Sequence, residues 1–214
     1  MKTIITITAG LLLWGSFPGY GQDAEYKSGF KIISTYDSSR IYKPNAAITD
    51  KLHYRPVDID LWYPADTFLS DTTASFLFFA HLLELRSNFY GDTKNYNGIG
   101  DELLQYICSG FDCDYSILKN TKTDSYVNAK RIDQKFPLII YLAGFNGMSY
   151  ENYLLFENLA KQGFVVASVS SVGRYPGNMT MDIPDIFEQI NDARFIINYL
   201  SDSNLVSERI GLVG

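Results

Sequence analysis

The sequence predicts an α/β fold in which antiparallel first strands lead into a parallel sheet with flanking helices. Three observations carry that reading. Near the N-terminus, GFKIISTYD and RPVDIDLWYP alternate apolar and polar residues at strand period, with Val57, Ile59 and Leu61 on one face. Further on, FPLIIYLAG and FVVASVSS are apolar almost throughout, the pattern of strands covered on both faces by helices. Stretches at helical spacing separate and follow these runs, so from Phe136 the order is strand, helix, strand, helix, strand.

Taken in order, the chain opens on MKTIITITAGLLLWGSFPGYGQ. Lys2, the apolar run Ile4–Trp14 and the small residues Gly19 and Gly21 read as an export signal cut near Gly21/Gln22. The run is too short for a bilayer-spanning helix, which needs about 20 residues. Residues 1–21 are therefore expected to leave a secreted or periplasmic domain, 22–214, with no stable membrane span. The alternating segments from Gly29 to Pro64 then suit an antiparallel pair at a sheet edge. From about 68 to 133 follows a helical and loop insertion: FLFFAHLLELRSNFYG then GDELLQYICSGF, read as one or two amphipathic helices, followed by a polar loop. Cys108 and Cys113 fall there. Export would put them in an oxidising compartment, where they read either as a short-loop disulfide or as two small core side chains.

In the last third, YENYLLFENLAKQG reads as a helix closed by Gly163. The helix at about 184–200 places Ile186, Ile190, Ala193, Ile197 and Leu200 in one stripe. Asp182, Asp185 and Asp192 then read as helix-start and helix-surface charges. RIGLV returns to the sheet. In such a fold, ligands gather at the carboxyl ends of the parallel strands.

Composition narrows the function. A formal charge of -6 argues against nucleic acid and anionic membrane as main partners, since both need a basic patch. The longest basic stretch, Asn128–Lys135, reads as a solvated loop. His53 and His81 lack metal-ligand spacing, so no metal site is expected. A dinucleotide site would need G-x-G-x-x-G after the first parallel strand, where the chain has only Gly144 and Gly147. Arg174, in SSVGRYPG after the second parallel strand, is placed where substrate could bind.

Together, YDSSR (Tyr36–Arg40), RPVDIDLWYPAD (Arg55–Asp66), FPLIIYLAGFNG (Phe136–Gly147), LAKQGFVVASV (Leu159–Val169), NDARFIINYL and RIGLVG resemble the bacterial α/β-hydrolases described as predicted dienelactone hydrolases, related to platelet-activating factor acetylhydrolases. The resemblance implies the N-terminal part of an α/β-hydrolase fold and a serine-dependent carboxylic ester hydrolase without cofactor. Its substrate would be a small-molecule ester, with lipid-like esters and lipid degradation in view. The residue after a His-Gly pair in that family donates its backbone N–H to the oxyanion. Here this position is Phe145, supported by Gly144 and Gly147, and Ala143 replaces the histidine. RIGLVG resembles the strand entering a G-x-S-x-G nucleophile turn. On that reading this chain is a fragment, itself inactive, because serine, acid and histidine would all follow Gly214. The alternative is an inactive short binding protein with a partial hydrolase fold.

Overall fold

The computed structural model describes residues 26–66, 72–90, 95–145, 147–170, 172–174 and 179–214. The expected export signal, residues 1–21, lies outside them. Strands β1 (Lys27–Ile41) and β2 (Tyr54–Asp66) pair antiparallel, as expected. They do not form the sheet edge. The insertion contributes β3 (Thr73–Ser75) and β4 (Lys122–Val127), and β4 pairs parallel with the start of β1. β5 (Lys130–Arg131), within the stretch read as a solvated loop, pairs with the end of β2. β4, KTDSYV, mixes polar and apolar residues because only Thr123 and Ser125 turn fully inward.

Between β3 and β4 run helices α1 (Phe76–Tyr90), α2 (Ile99–Phe111) and α3 (Tyr115–Asn120). Cys108 and Cys113 are joined by a disulfide across the α2–α3 corner. The parallel part follows: β6 (Phe136–Leu142), α4 (Tyr153–Lys161), β7 (Val165–Val169), α5 (Ile183–Ser201) and β8 (Val206–Val213). The strand order is β3-β4-β1-β2-β7-β6-β8, with β5 beside β2. Gly163 ends α4 at φ 86, a conformation that costs glycine least. Among the described residues no helix is long and apolar enough to cross a membrane.

Two apolar layers flank the sheet. On one face Val57, Ile59, Leu61, Leu138, Ile140 and Ala167 meet Ala193, Ile196 and Leu200 of α5. On the other, Phe30, Trp62 and Val166 meet Phe79 and Leu82 of α1 and Phe156 and Ala160 of α4. Trp62 lies 4.8 Å from the rings of both Phe30 and Phe156, and its indole N–H donates to Ser125 Oγ at 2.9 Å. The loops leaving β6 and β7 therefore run to opposite faces of the sheet, which opens a crevice at those strand ends.

The stripe expected on α5 is rotated in its first half. Asp185 and Asp192 are buried with Ala193, Ile196 and Leu200, while Ile183, Ile186, Phe187 and Ile190 face outward. The reason is electrostatic: the neighbouring elements present arginines and unpaired backbone groups to that helix face, and carboxylates satisfy them where apolar side chains could not.

Candidate functional site

Register brings three chain segments to one level at the carboxyl ends. Leu142 of β6 pairs with Val169 of β7, and Tyr141 pairs with Val213 of β8. Ala143, Ser170 and Gly214 thus leave adjacent strands together; a Cβ on Gly214 would stand 3.3 Å from the Leu142 carbonyl oxygen. Beyond Ala143 the chain makes a tight turn, in which Gly147 N donates to Gly144 O at 2.8 Å. Phe145 occupies the second position of that turn. Its side chain is 52% exposed, and among the described residues its N–H has no acceptor. The turn's own bond does not use the amide at this position.

Three groups hold the turn. Gln189 of α5 donates from Nε2 to the Ala143 carbonyl at 3.0 Å. Glu151 accepts from Met148 N at 3.3 Å and from the Tyr141 hydroxyl at 2.5 Å, while Asn152 donates to the same hydroxyl at 2.7 Å. Burial and the Glu151 carboxylate both push the Tyr141 phenol's pKa above its ordinary value. Gly147 is required by space: a Cβ there would meet Glu151 Oε2 at 2.7 Å and the backbone N and O of Gly144 at 2.9 Å. Gly144 faces open space. Ala143 is itself buried, and Gln189 anchors its carbonyl from outside the turn.

Beneath the turn lies a buried charged cluster that sequence reading missed. Arg86 of α1 donates from Nη2 to Asp60 Oδ1 at 2.7 Å, and from Nη1 to Ser149 Oγ at 2.6 Å and Ser170 Oγ at 3.3 Å. Ser149 donates from its hydroxyl to Asp60 Oδ2 and from its N–H to Ser170 Oγ, the latter at 3.1 Å. Burial alone would lower the Arg86 pKa, and the Asp60 carboxylate outweighs it. The serines pair with one another and with Arg86 and Asp60. His53 instead bonds the Ala46 carbonyl through Nδ1 at 2.9 Å, and His81 stands beside Asp101 at 3.6 Å. No histidine is therefore placed to activate either serine.

A second cluster fixes the loop after β7. Arg55 donates to the carbonyls of Gly173 (2.7 Å) and Val172 (2.8 Å) and pairs with Asp192 at 2.7 Å, under the ring of Tyr42. Asp192 also holds Arg40, which bonds Asp37 and Glu188. Asp185 and Asp192 are thus buried partners rather than the surface charges expected of them. Arg174 directs its guanidinium at the start of α5, with Nε 2.7 Å from Asp185. Bonds from Thr180 and Arg174 outweigh burial and hold the Asp185 carboxyl well below the ordinary carboxylate range. Among the described residues no group of His, Cys, Asp or Glu could hold a metal. The signal for both clusters was present in RPVDID: Asp58 and Asp60 alternate with Val57, Ile59 and Leu61 on a strand buried on both faces, so its polar positions also had to turn inward.

Among solved structures, a ferulic acid esterase from Streptomyces cinnamoneus matches 90% of this chain with a TM-score of 0.58 at 18% sequence identity. The fold is esterase-like. The chain spans about half of that esterase, 53% of its length. No protein-family model and no curated protein matches the chain.

Proposed function

We propose that this chain is the N-terminal part of an exported, serine-dependent carboxylic ester hydrolase, with Phe145 supplying one of two oxyanion donors. The observation that carries the reading is the juxtaposition of the Ala143–Gly147 turn with the end of β8. Gly214 lies beside Leu142, so residues following it would come alongside Ala143, Gly144 and Phe145. A serine in a sharp turn there would sit against the Phe145 amide, as acyl transfer requires. Its Oγ would attack the ester carbonyl carbon, and the developing oxyanion would accept from Phe145 N–H and from the residue after the serine. The alcohol would then leave with the serine proton, carried by a histidine later in the polypeptide, and water would hydrolyse the acyl group from the serine. The acetylhydrolase and dienelactone-hydrolase likeness, secretion and a lipid-like ester belong to this proposal, as does the inactivity of residues 1–214 by themselves.

The test is made in the polypeptide that continues past Gly214. Phe145→Pro removes the donor, and proline suits the second position of a tight turn. Its kcat on a small activated ester should fall by about 10²–10³ with a smaller change in KM. Phe145→Leu, which keeps the N–H, should stay within about tenfold. Circular dichroism and a melt establish that the proline variant is folded. A folded Phe145→Pro enzyme of full activity would refute the assignment.

A further inference from the structure

We propose that the buried Arg86–Asp60 ion pair is a positioning device for the oxyanion turn, acting through Ser149. The inference rests on the Phe145 reading above and adds to it a role for the helical insertion. Helix α1 buries Phe79 and Leu82 against the sheet, and Arg86 is its one buried charge. Burying a guanidinium and a carboxylate for stability alone is poorly rewarded, because desolvation consumes most of their attraction. What the pair achieves here is placement. Its planar fork reaches three acceptors at once: Asp60 on β2, Ser149 just beyond the turn, and Ser170 at the end of β7. An ammonium on a flexible stem has three donors but not that fixed planar geometry.

Ser149 is the point of attachment. It is fully buried, two residues past Gly147, and each of its N–H, hydroxyl hydrogen and hydroxyl oxygen has a partner in the cluster. The near side of the turn is held at Ala143 by Gln189, and the chain just past it at Met148 by Glu151. Phe145 therefore sits in a span fixed at both ends. An oxyanion donor is useful only if already in place when charge develops, and a displacement of about 1 Å costs on the order of 10²-fold in rate. Arg86 and Asp60 touch no reacting atom; their effect reaches the chemistry through the backbone of the turn.

Two variants test this. Ser149→Ala removes the hydroxyl bonds to Arg86 and Asp60, leaving only the backbone N–H on Ser170, and keeps Arg86 and Asp60 paired, whereas Arg86→Lys keeps the charge and loses the fork. In the polypeptide extended past Gly214, with p-nitrophenyl acetate as substrate, both should lower kcat by about 10–10²-fold while KM changes less than about threefold. Hydrogen–deuterium exchange on the 1–214 chain supplies a readout without catalysis. The hydrogen-bonded amides of Gly147, Met148 and Ser149 should exchange at least about tenfold faster in Ser149→Ala, with β2 and β7 unchanged. Unchanged kcat in the folded variants, or acceleration spread evenly over the sheet, would overturn the proposal. If the unsubstituted polypeptide hydrolyses no ester, the functional reading fails and the exchange result decides: acceleration confined to the turn supports positioning, and its absence overturns it.

Discussion

Asp192→Ala should strongly destabilise the loop after β7. Asp192 is 5% exposed and accepts from Arg55 Nη2 at 2.7 Å, Arg55 Nε at 3.2 Å and Arg40 Nη2 at 2.6 Å. Arg55 is 2% exposed and, among the described residues, has no other carboxylate within bonding distance; the Val172 and Gly173 carbonyls would be its remaining hydrogen-bond partners. Burial pulls its pKa down and Asp192 more than restores it, so removing the carboxylate leaves an uncompensated buried charge. Such a loss costs about 3–5 kcal/mol. At about 2–4 °C per kcal/mol for a domain of this size, the melting temperature should fall by about 6–20 °C. Arg40→Ala is the control: Arg40 is partly exposed, and Asp192 keeps Arg55, so the loss should be near 1 kcal/mol. The double variant Arg55→Met/Asp192→Leu should recover only part of the loss, because the Val172 and Gly173 carbonyls are left without donors. Calorimetric melts at pH 7 decide the matter. An Asp192→Ala loss no larger than that of Arg40→Ala would refute the reasoning.

Burial raises the Glu157 carboxyl pKa above its ordinary value, with the Ser125 hydrogen bond opposing it. The fold therefore favours the protonated acid, a contribution that is complete below the unfolded pKa of about 4.3 and lost as pH rises through the folded value. Glu157→Gln should accordingly gain stability relative to wild type between pH 4 and pH 7 in urea unfolding, and a difference independent of pH would contradict this. Gly147→Ala forces a Cβ to within 2.9 Å of the Gly144 backbone and should cost about 1–3 kcal/mol in the same assay. Gly144→Ala meets nothing within 4 Å and should stay within about 0.5 kcal/mol, so equal effects would show that the turn is not sterically fixed.

Where side-chain period alone sets an element, the sequence was readable. β1 and β2 carry period two, and β6 and β7 are apolar enough to need cover on both faces. The insertion was harder because β3 has three residues and β4 owes its place to parallel pairing with β1, a register that no local pattern encodes. In α5, choosing apolar residues as the inward face gave a stripe through Ile186 and Ile190. Asp185, Asp192, Ala193, Ile196 and Leu200 share helical spacing equally well, and only Arg55, 137 residues from Asp192, decides between them. The candidate turn was legible through its two glycines. Its supports were not, since Gln189, Glu151 and Arg86 reach it from three different helices or helix approaches.

Apolar packing holds the body of this molecule, while charge holds its strand ends, and the difference follows from what each must satisfy. Within the sheet the backbone is bonded strand to strand, so Val, Ile and Leu suffice to join helix to strand. Past the last ladder bond the chain must turn, and its buried carbonyls and amides need partners that an apolar side chain cannot provide. Arg55 takes the carbonyls of Val172 and Gly173, Gln189 takes that of Ala143, Asp185 takes the amides of Arg174 and Thr180, and the Arg86 cluster takes Ser149. Each buried cation then needs a carboxylate beside it, which places Asp60 and Asp192 inside. The outcome is two loops whose backbone positions are set by directional bonds rather than by contact area, and directional bonds are what the proposed oxyanion role of the Phe145 N–H would require.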